Sequence, residues 1–286
     1  MPHTEELVYT QAEDGLPLEG VAIRPSGRDP RPTAVVFVHG LTSKFYGRSM
    51  VNLGRELADC GYLFVAGNNR GHDFGFPYRA DQRDPSAQPR IYGGGWELFD
   101  ESPLDIAAWI GFTVGLGARD VVLYGHSLGA LKVGYYQAVR KDPRVVGLIA
   151  GSPPMVSAGR VDPELLAQAE RLVAEGRGQD LLPWGSTRAG ANTQSAQTLV
   201  NRARVGLDVY GKHAADALVG RVQVPILALF GTEEPTVGGP AELEVIKRNA
   251  VDSPAVTTRM FEGADHSYAG HETEIAAAMA DWLGAL

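Results

Sequence analysis

Short apolar runs that alternate with helical patterns constrain this chain more than any other feature. "TAVVFVHG" (33–40), "YLFVAGNN" (62–69), "DVVLYG" (120–125), "RVVGLIAG" (144–151), "VPILALFG" (224–231) and "AVTTRMFE" (255–262) read as buried strands. Between them, "GRSMVNLGRELADCG" closes on Gly61, and "SPLDIAAWIGFTVGLG" opens with Ser102 as N-cap and Pro103 at N1. "SLGALKVGYYQAVRK" and a final "ETEIAAAMADWLGAL" complete the helical set. Strands apolar on both faces, joined by helices, predict a mostly parallel sheet covered by helices on each side. "EELVYTQ" and "LEGVAIRP", joined by "AEDGLP", read as an antiparallel hairpin at its edge.

Two stretches break the alternation. Residues 71–98 form a long loop rich in Gly, Pro, Asp and aromatics, a length that usually carries function in a compact domain. Residues 152–220 separate two core strands and contain "DPELLAQAERLVAEG", capped by Asp162 with Pro163 at N1, and a second helical pattern in "TQSAQTLVNRARVGLDVYG". The expected organisation is a sheet domain of residues 1–151 and 221–286 with a helical lid inserted at 152–220.

Composition narrows the partners. A net charge of −8 with no basic cluster argues against nucleic acid and against anchoring to an anionic membrane. No apolar run approaches the roughly 20 residues a membrane span needs. The start, "MPHTEELVYTQAEDG", carries acids where a signal peptide carries basic and then apolar residues. With a single cysteine, Cys60, there is no internal disulfide, and no Cys/His spacing suggests zinc. A cytoplasmic protein without metal or cofactor is expected; its oligomeric state, homodimer included, is open.

The chemistry centres on "LYGHSLGA" (123–130), where Gly125-His126-Ser127-Leu128-Gly129 fits G-x-S-x-G between a strand and a helix. In that context the serine is raised on a sharp turn as a nucleophile, and the helix N-terminus behind it favours developing negative charge. The base expected in the order Ser, acid, His is His266 in "FEGADHSYAGHE", with His271 reading better as the start of the last helix. The acid follows "VPILALFG" in Gly231-Thr232-Glu233-Glu234-Pro235: Glu234 is the first candidate, and Glu233, more in keeping with a solvated side chain, the second. Oxyanion donors are expected from the backbone of Leu128 and of Leu41 in "VHGLTSKF", where His39 reads as a loop-bracing residue. Trp184 and Tyr210 of the lid, Trp96 of the long loop and Thr42 are the candidate substrate contacts. Lys44, Arg79 and Arg90 could meet a substrate anion but fit a solvated face better.

In order along the chain, "HG", "NNRGHD", "GHSLG", "GTEEP" and "GADHS" resemble the α/β-hydrolase superfamily over nearly the whole sequence. "NNRGHD" is similar to that family's D-x-R-G-H-G turn, with Asn68 in place of Asp and Asp73 in place of Gly. "HGLTSKFYGR" and the long Gly/aromatic loop resemble a branch that includes esterases of cyclic ester siderophores. The resemblance implies the α/β-hydrolase fold and an acyl-enzyme route without cofactor. A serine at the elbow is unlike the dehalogenase and epoxide hydrolase branches, which need a carboxylate there. The expected substrate is a medium-sized, partly aromatic carboxylic ester or lactone. A carbon–carbon bond hydrolase or perhydrolase with the same triad, and a ligand receptor on the same scaffold, are the alternatives.

Overall fold

Alternation within each strand decides which face of the sheet a side chain serves. In β3 (Thr33–Val38), Ala34, Val36 and Val38 enter one apolar core, and Val35 and Phe37 enter the other. β7 (Asp120–His126) repeats the pattern: Val121 and Leu123 face the first core, Val122 and Tyr124 the second. The computed structural model describes residues 3–27, 29–79, 89–157, 160–182 and 193–286.

The hairpin of β1 (His3–Gln11) and β2 (Pro17–Pro25) forms the antiparallel edge of an eight-stranded sheet. Beside β2 the order runs β4 (Phe64–Gly67), β3, β7, β8 (Val145–Gly151), β9 (Ile226–Gly231) and β10 (Val256–Phe261). From β4 to β10 every neighbour is parallel, as the uninterrupted apolar runs predict. α1 (Arg48–Asp59) and α7 (Glu272–Leu283) cover one face through Leu53, Leu57, Ile275 and Met279. The other face is covered by α2 (Ser102–Gly115), α3 (Leu128–Arg140) and α6 (Pro240–Asn249), through Ile106, Ile110, Leu131, Val133 and Ile246. Each such side chain, fully buried, contributes about 1.5–3 kcal/mol.

Three local expectations change. Ser102 is not the N-cap of α2: a 3₁₀ turn over Phe99–Glu101 leads into the helix, Glu101 takes the cap position, and Ser102 is the first helical residue, buried. α6 has no counterpart in the apolar reading, because Glu242, Glu244, Lys247 and Arg248 dilute its stripe of Leu243, Val245 and Ile246. Within the long loop, β5 (Phe76–Tyr78) and β6 (Arg90–Tyr92) pair as a small antiparallel hairpin.

Between β8 and β9 stand α4 (Pro163–Ala174) and α5 (Ala196–Val205), capped by the Asp162 and Ser195 side chains. They close on each other around Ala169, Leu182, Ala196 and Leu199, a cluster separate from both sheet cores. Asn201 and Arg204 of α5 tie this pair to the 3₁₀ turn before α2: the Phe99 amide donates to Asn201 Oδ1, and both side chains donate to Asp100. No helix among the described residues is long and apolar enough to cross a membrane.

Arg70, in the turn after β4, locks that turn to the rest of the sheet edge. Its side chain is fully buried and donates to both oxygens of Asp105 on α2, to Glu101 and to Asp14 of the β1–β2 turn. Burial pushes the Asp105 carboxyl up, against the opposing pull of Arg70. Removing the guanidinium strands these carboxylates, so Arg70→Met should cost about 3–5 kcal/mol. Urea unfolding followed by far-UV circular dichroism measures this, and a loss below about 1 kcal/mol would contradict it.

Candidate active site

Ser127 occupies a backbone conformation that serine rarely adopts, φ 56° and ψ −126°, at the junction of β7 and α3. Neighbouring glycines make room for it. A Cβ on Gly129 would lie 2.0 Å from the Val38 carbonyl oxygen, and one on Gly40 would lie 2.9 Å from Ser127 Cβ. The Ser127 amide donates to Gly151 O at 2.9 Å, which ties the turn to the end of β8. The strained residue is thus held from both sides of the sheet's centre.

The structure brings His266 and Glu234 to this serine. His266 Nε2 stands 3.0 Å from Ser127 Oγ, and His266 Nδ1 stands 2.7 Å from Glu234 Oε2. With the Nδ1 proton donated to the carboxylate, Nε2 is left to accept from the serine hydroxyl. Glu233, the other acid of the turn, is exposed. His271 sits at the N-cap of α7, with its Nδ1 3.5 Å from Glu274.

Glu234 is braced by groups that sequence patterns did not single out. Its Oε1 accepts from the Gly231 amide at 2.6 Å and from the buried Ser152 hydroxyl, which in turn accepts from Tyr268 OH. Burial raises the Tyr268 phenol well above its ordinary value, so it stays protonated and able to donate. Ser127, Ser152 and Tyr268 all adopt left-handed φ, as does Thr42 beside Leu41. Such strain persists only where surrounding contacts over-determine it.

Two further histidines stay neutral. His126 Nε2 donates to the His266 carbonyl oxygen at 2.8 Å, and desolvation, with His266 alongside, pushes its pKa down to about 3. His39 is buried, and desolvation, helped by the nearby Lys132 charge, also takes it to about 3. Its Nε2 accepts from the Asn69 amide at 3.0 Å, so Nδ1 carries the proton donated to Gly40 O at 2.8 Å. Asn69 in turn accepts from Lys132 Nζ of α3, and Lys132 is clasped by the buried Glu97. This chain of hydrogen bonds ties α3 to the Gly40–Leu41 turn from beneath.

Ser127, His126, His266, Leu41 and Leu128 all line one cavity of about 860 Å³. Its walls are mainly aliphatic, with Leu131, Val161, Leu166, Leu199, Leu207 and Val237 drawn from the core, α4 and α5. The expected substrate contacts fare differently. Tyr210 is buried beneath α3, where its hydroxyl donates to Ala130 O. Trp96 lies edge-on to Phe74 and donates to Gln179 O, and the Thr42 hydroxyl turns back to the Leu41 carbonyl. None of the three is among the described lining residues, and Trp184 lies outside the described residues. Aromatic rings of the long loop pack on one another instead: Tyr92 against Phe76 and Tyr78. Arg90 pairs with Glu101, and Lys44 lies 3.6 Å from Asp73. The charged lining residues are Arg160 and Arg202, which periodicity alone places on ordinary helix and loop surfaces.

The tight contact at Gly129 makes a direct test of the elbow. Gly129→Ala must displace backbone, a strain of about 1–3 kcal/mol, lowering the thermal midpoint by roughly 3–10 °C. Gly115→Ala, where a Cβ meets nothing within 4 Å, should leave it within about 2 °C or raise it. Equal midpoints for the two variants in differential scanning calorimetry would contradict the close approach.

Residues 35–278 match the sequence model of the alpha/beta hydrolase family. No curated protein sequence matches significantly. Among solved structures, Est1E from Butyrivibrio proteoclasticus with bound ferulic acid is 18% identical, with 96% of this chain and 97% of that one aligned at a TM-score of 0.68. A carboxyl esterase from Bacillus coagulans in complex with glycerol is 14% identical, covering 99% and 98% at 0.71. A Paleococcus ferrophilus monoacylglycerol lipase is 20% identical, covering 99% and 98% at 0.60. With the family match spanning most of the sequence, this chain belongs to the alpha/beta hydrolase family.

Proposed function

We propose that the protein hydrolyses carboxylic esters, lactones included, through an acyl-enzyme on Ser127. The observation that carries this reading is the hydrogen-bonded line from Ser127 Oγ through His266 to Glu234, opening into a largely aliphatic cavity. Ser127 Oγ attacks the ester carbonyl as its proton passes to His266 Nε2. Glu234 holds the ring in the required tautomer and stabilises the imidazolium. The tetrahedral oxyanion is received by the backbone amides of Leu41 and Leu128, each worth about 2.7–4 kcal/mol in comparable sites. His266 then returns the proton to the departing alkoxide. A water activated by the same nitrogen hydrolyses the acyl-enzyme.

The walls favour an aliphatic substrate body over an aromatic one, since the described lining carries no Phe, Tyr or Trp. That structurally similar proteins include a carboxyl esterase and a monoacylglycerol lipase is in keeping with ester chemistry. The α4–α5 pair serves as the lid: Leu166 and Leu199 come from these helices and help enclose the nucleophile.

Treatment with a small fluorophosphonate should add one mass increment to the wild-type chain and none to Ser127→Ala. Hydrolysis of p-nitrophenyl butyrate should fall at least about 10³-fold in Ser127→Ala and in His266→Ala. Absence of both labelling and hydrolysis in folded wild-type protein would overturn the reading. Ser152→Ala, which removes a donor to Glu234, should lower kcat about 10-fold with KM nearly constant, because the brace acts on the reacting histidine and not on substrate binding.

A further inference from the structure

Among the described residues, the cavity's permanent charge is all of one sign. Among the described residues lining it, Arg160 and Arg202 carry charge, and there is no carboxylate. Arg160 is exposed at the loop before α4, whereas the Arg202 side chain, on α5, is only 10% exposed. Aliphatic side chains fill most of the remaining wall, so the field of the Arg202 guanidinium is poorly screened, whereas Arg160 is solvated.

Arg202 is also short of compensating charge. Its Nη1 donates to Gln194 Oε1 at 3.0 Å, which orients the guanidinium along the cavity wall but neutralises nothing. The carboxylate within reach is Glu97, whose Oε1 is already claimed by Lys132. Arg202 Nη2 lies 3.6 Å from Glu97 Oε2, too far for a hydrogen bond, and Nε and Nη2 have no acceptor among the described residues. Asp105, which also acts on Lys132, is clasped by Arg70. Lys132 and Arg202 therefore share Glu97, whose Oε2 also lacks a hydrogen-bond partner, and no carboxylate among the described residues lines the cavity beside the guanidinium. A buried guanidinium with unmet donors is costly unless an anion joins it. Because those two nitrogens lie beneath the cavity surface, the wall presents the charge itself, and the guanidinium must turn slightly to engage a ligand fully.

We propose that the ester cleaved at Ser127 carries a carboxylate remote from the scissile bond, received by Arg202 with Arg160 nearby. The inference rests on the ester-hydrolase reading and names the substrate class of that same cavity: a monoester of a dicarboxylic acid, or an equivalent ester with an aliphatic body and one anionic end. A carboxylate supplies acceptors that the Arg202 donors lack, and the planar guanidinium fork matches it better than an ammonium would. Arg202 and Arg160 are specificity residues here, with no part in the bond-breaking steps.

The test uses mono-p-nitrophenyl esters of succinate, glutarate, adipate and suberate, each against the uncharged p-nitrophenyl alkanoate of the same chain length. For wild type, kcat/KM should favour the charged member at least about 10-fold at one or more lengths, and added salt should erode that preference. In Arg202→Gln and in Arg160→Gln the charged-to-neutral ratio should drop several-fold, and in Arg160→Glu it should fall below one. Because the ratio is taken within each variant, partial loss of folded protein cancels. Neutral esters preferred at every length by an active wild type would overturn this inference and leave ester hydrolysis standing. A preference unchanged in all three variants would overturn the assignment to these arginines. Wild type inactive on every ester would overturn both readings together.

Discussion

The close approach of α3 to the end of β3 is the constraint on which the rest of the site depends. Gly129 brings the helix backbone against the Val38 carbonyl, so the chain between β7 and α3 must turn within a single residue. That residue is Ser127, forced to a positive φ and lifted clear of the sheet. The hydrogen bond from its amide to the Gly151 carbonyl and its contact with Gly40 leave the turn no easy relaxation. A side chain held this way loses little further freedom when it reacts, which is the physical value of a strained turn.

Around the elbow, buried polar groups do the positioning. On one side, Tyr268 and Ser152 pass hydrogen bonds to Glu234, and Glu234 to His266. On the other, Lys132, Asn69 and His39 connect α3 to the Gly40–Leu41 turn. Both chains end on atoms that the proposed mechanism uses: the histidine ring and the oxyanion turn. Such networks are costly when incomplete and rigid when satisfied, so they suit parts that must hold a geometry. Arg202 is incompletely satisfied, as is Glu97 beside it, and Arg202 lies on the cavity wall, where a ligand can complete it.

Legibility followed the range of the interactions. Ser127, His266 and Glu234 stand in short turns whose chemistry repeats a local pattern, and the parallel run of β7 to β10 brings those turns together at the C-terminal ends of the strands. The choice of Glu234 over Glu233 was left open by spacing. The turn after β9 buries Glu234 onto the Gly231 amide, within reach of His266, and leaves Glu233 in solvent. Tyr210 and Trp96 misled because an aromatic residue in an insertion reads as a pocket wall, whereas Tyr210 packs under α3 and Trp96 against the long loop. Arg202, Gln194 and Arg160 carried no signal, since a charged residue at helical spacing looks the same whether it faces water or a cavity.

The sequence by itself determined the layered sheet, the helices that cover it and the three turns bearing Ser127, His266 and Glu234. These are set by hydrophobic period and by turn chemistry, both of which act between near neighbours along the chain. Tertiary structure alone decided what stands behind and around those turns. Ser152 meets Tyr268, Lys132 meets Glu97, and Arg202 is left without a full partner, across separations that no local pattern encodes. Charge balance in a buried wall is a sum over residues brought together only by folding, and so the character of the cavity, unlike the position of the serine, could be read only once the chain was folded.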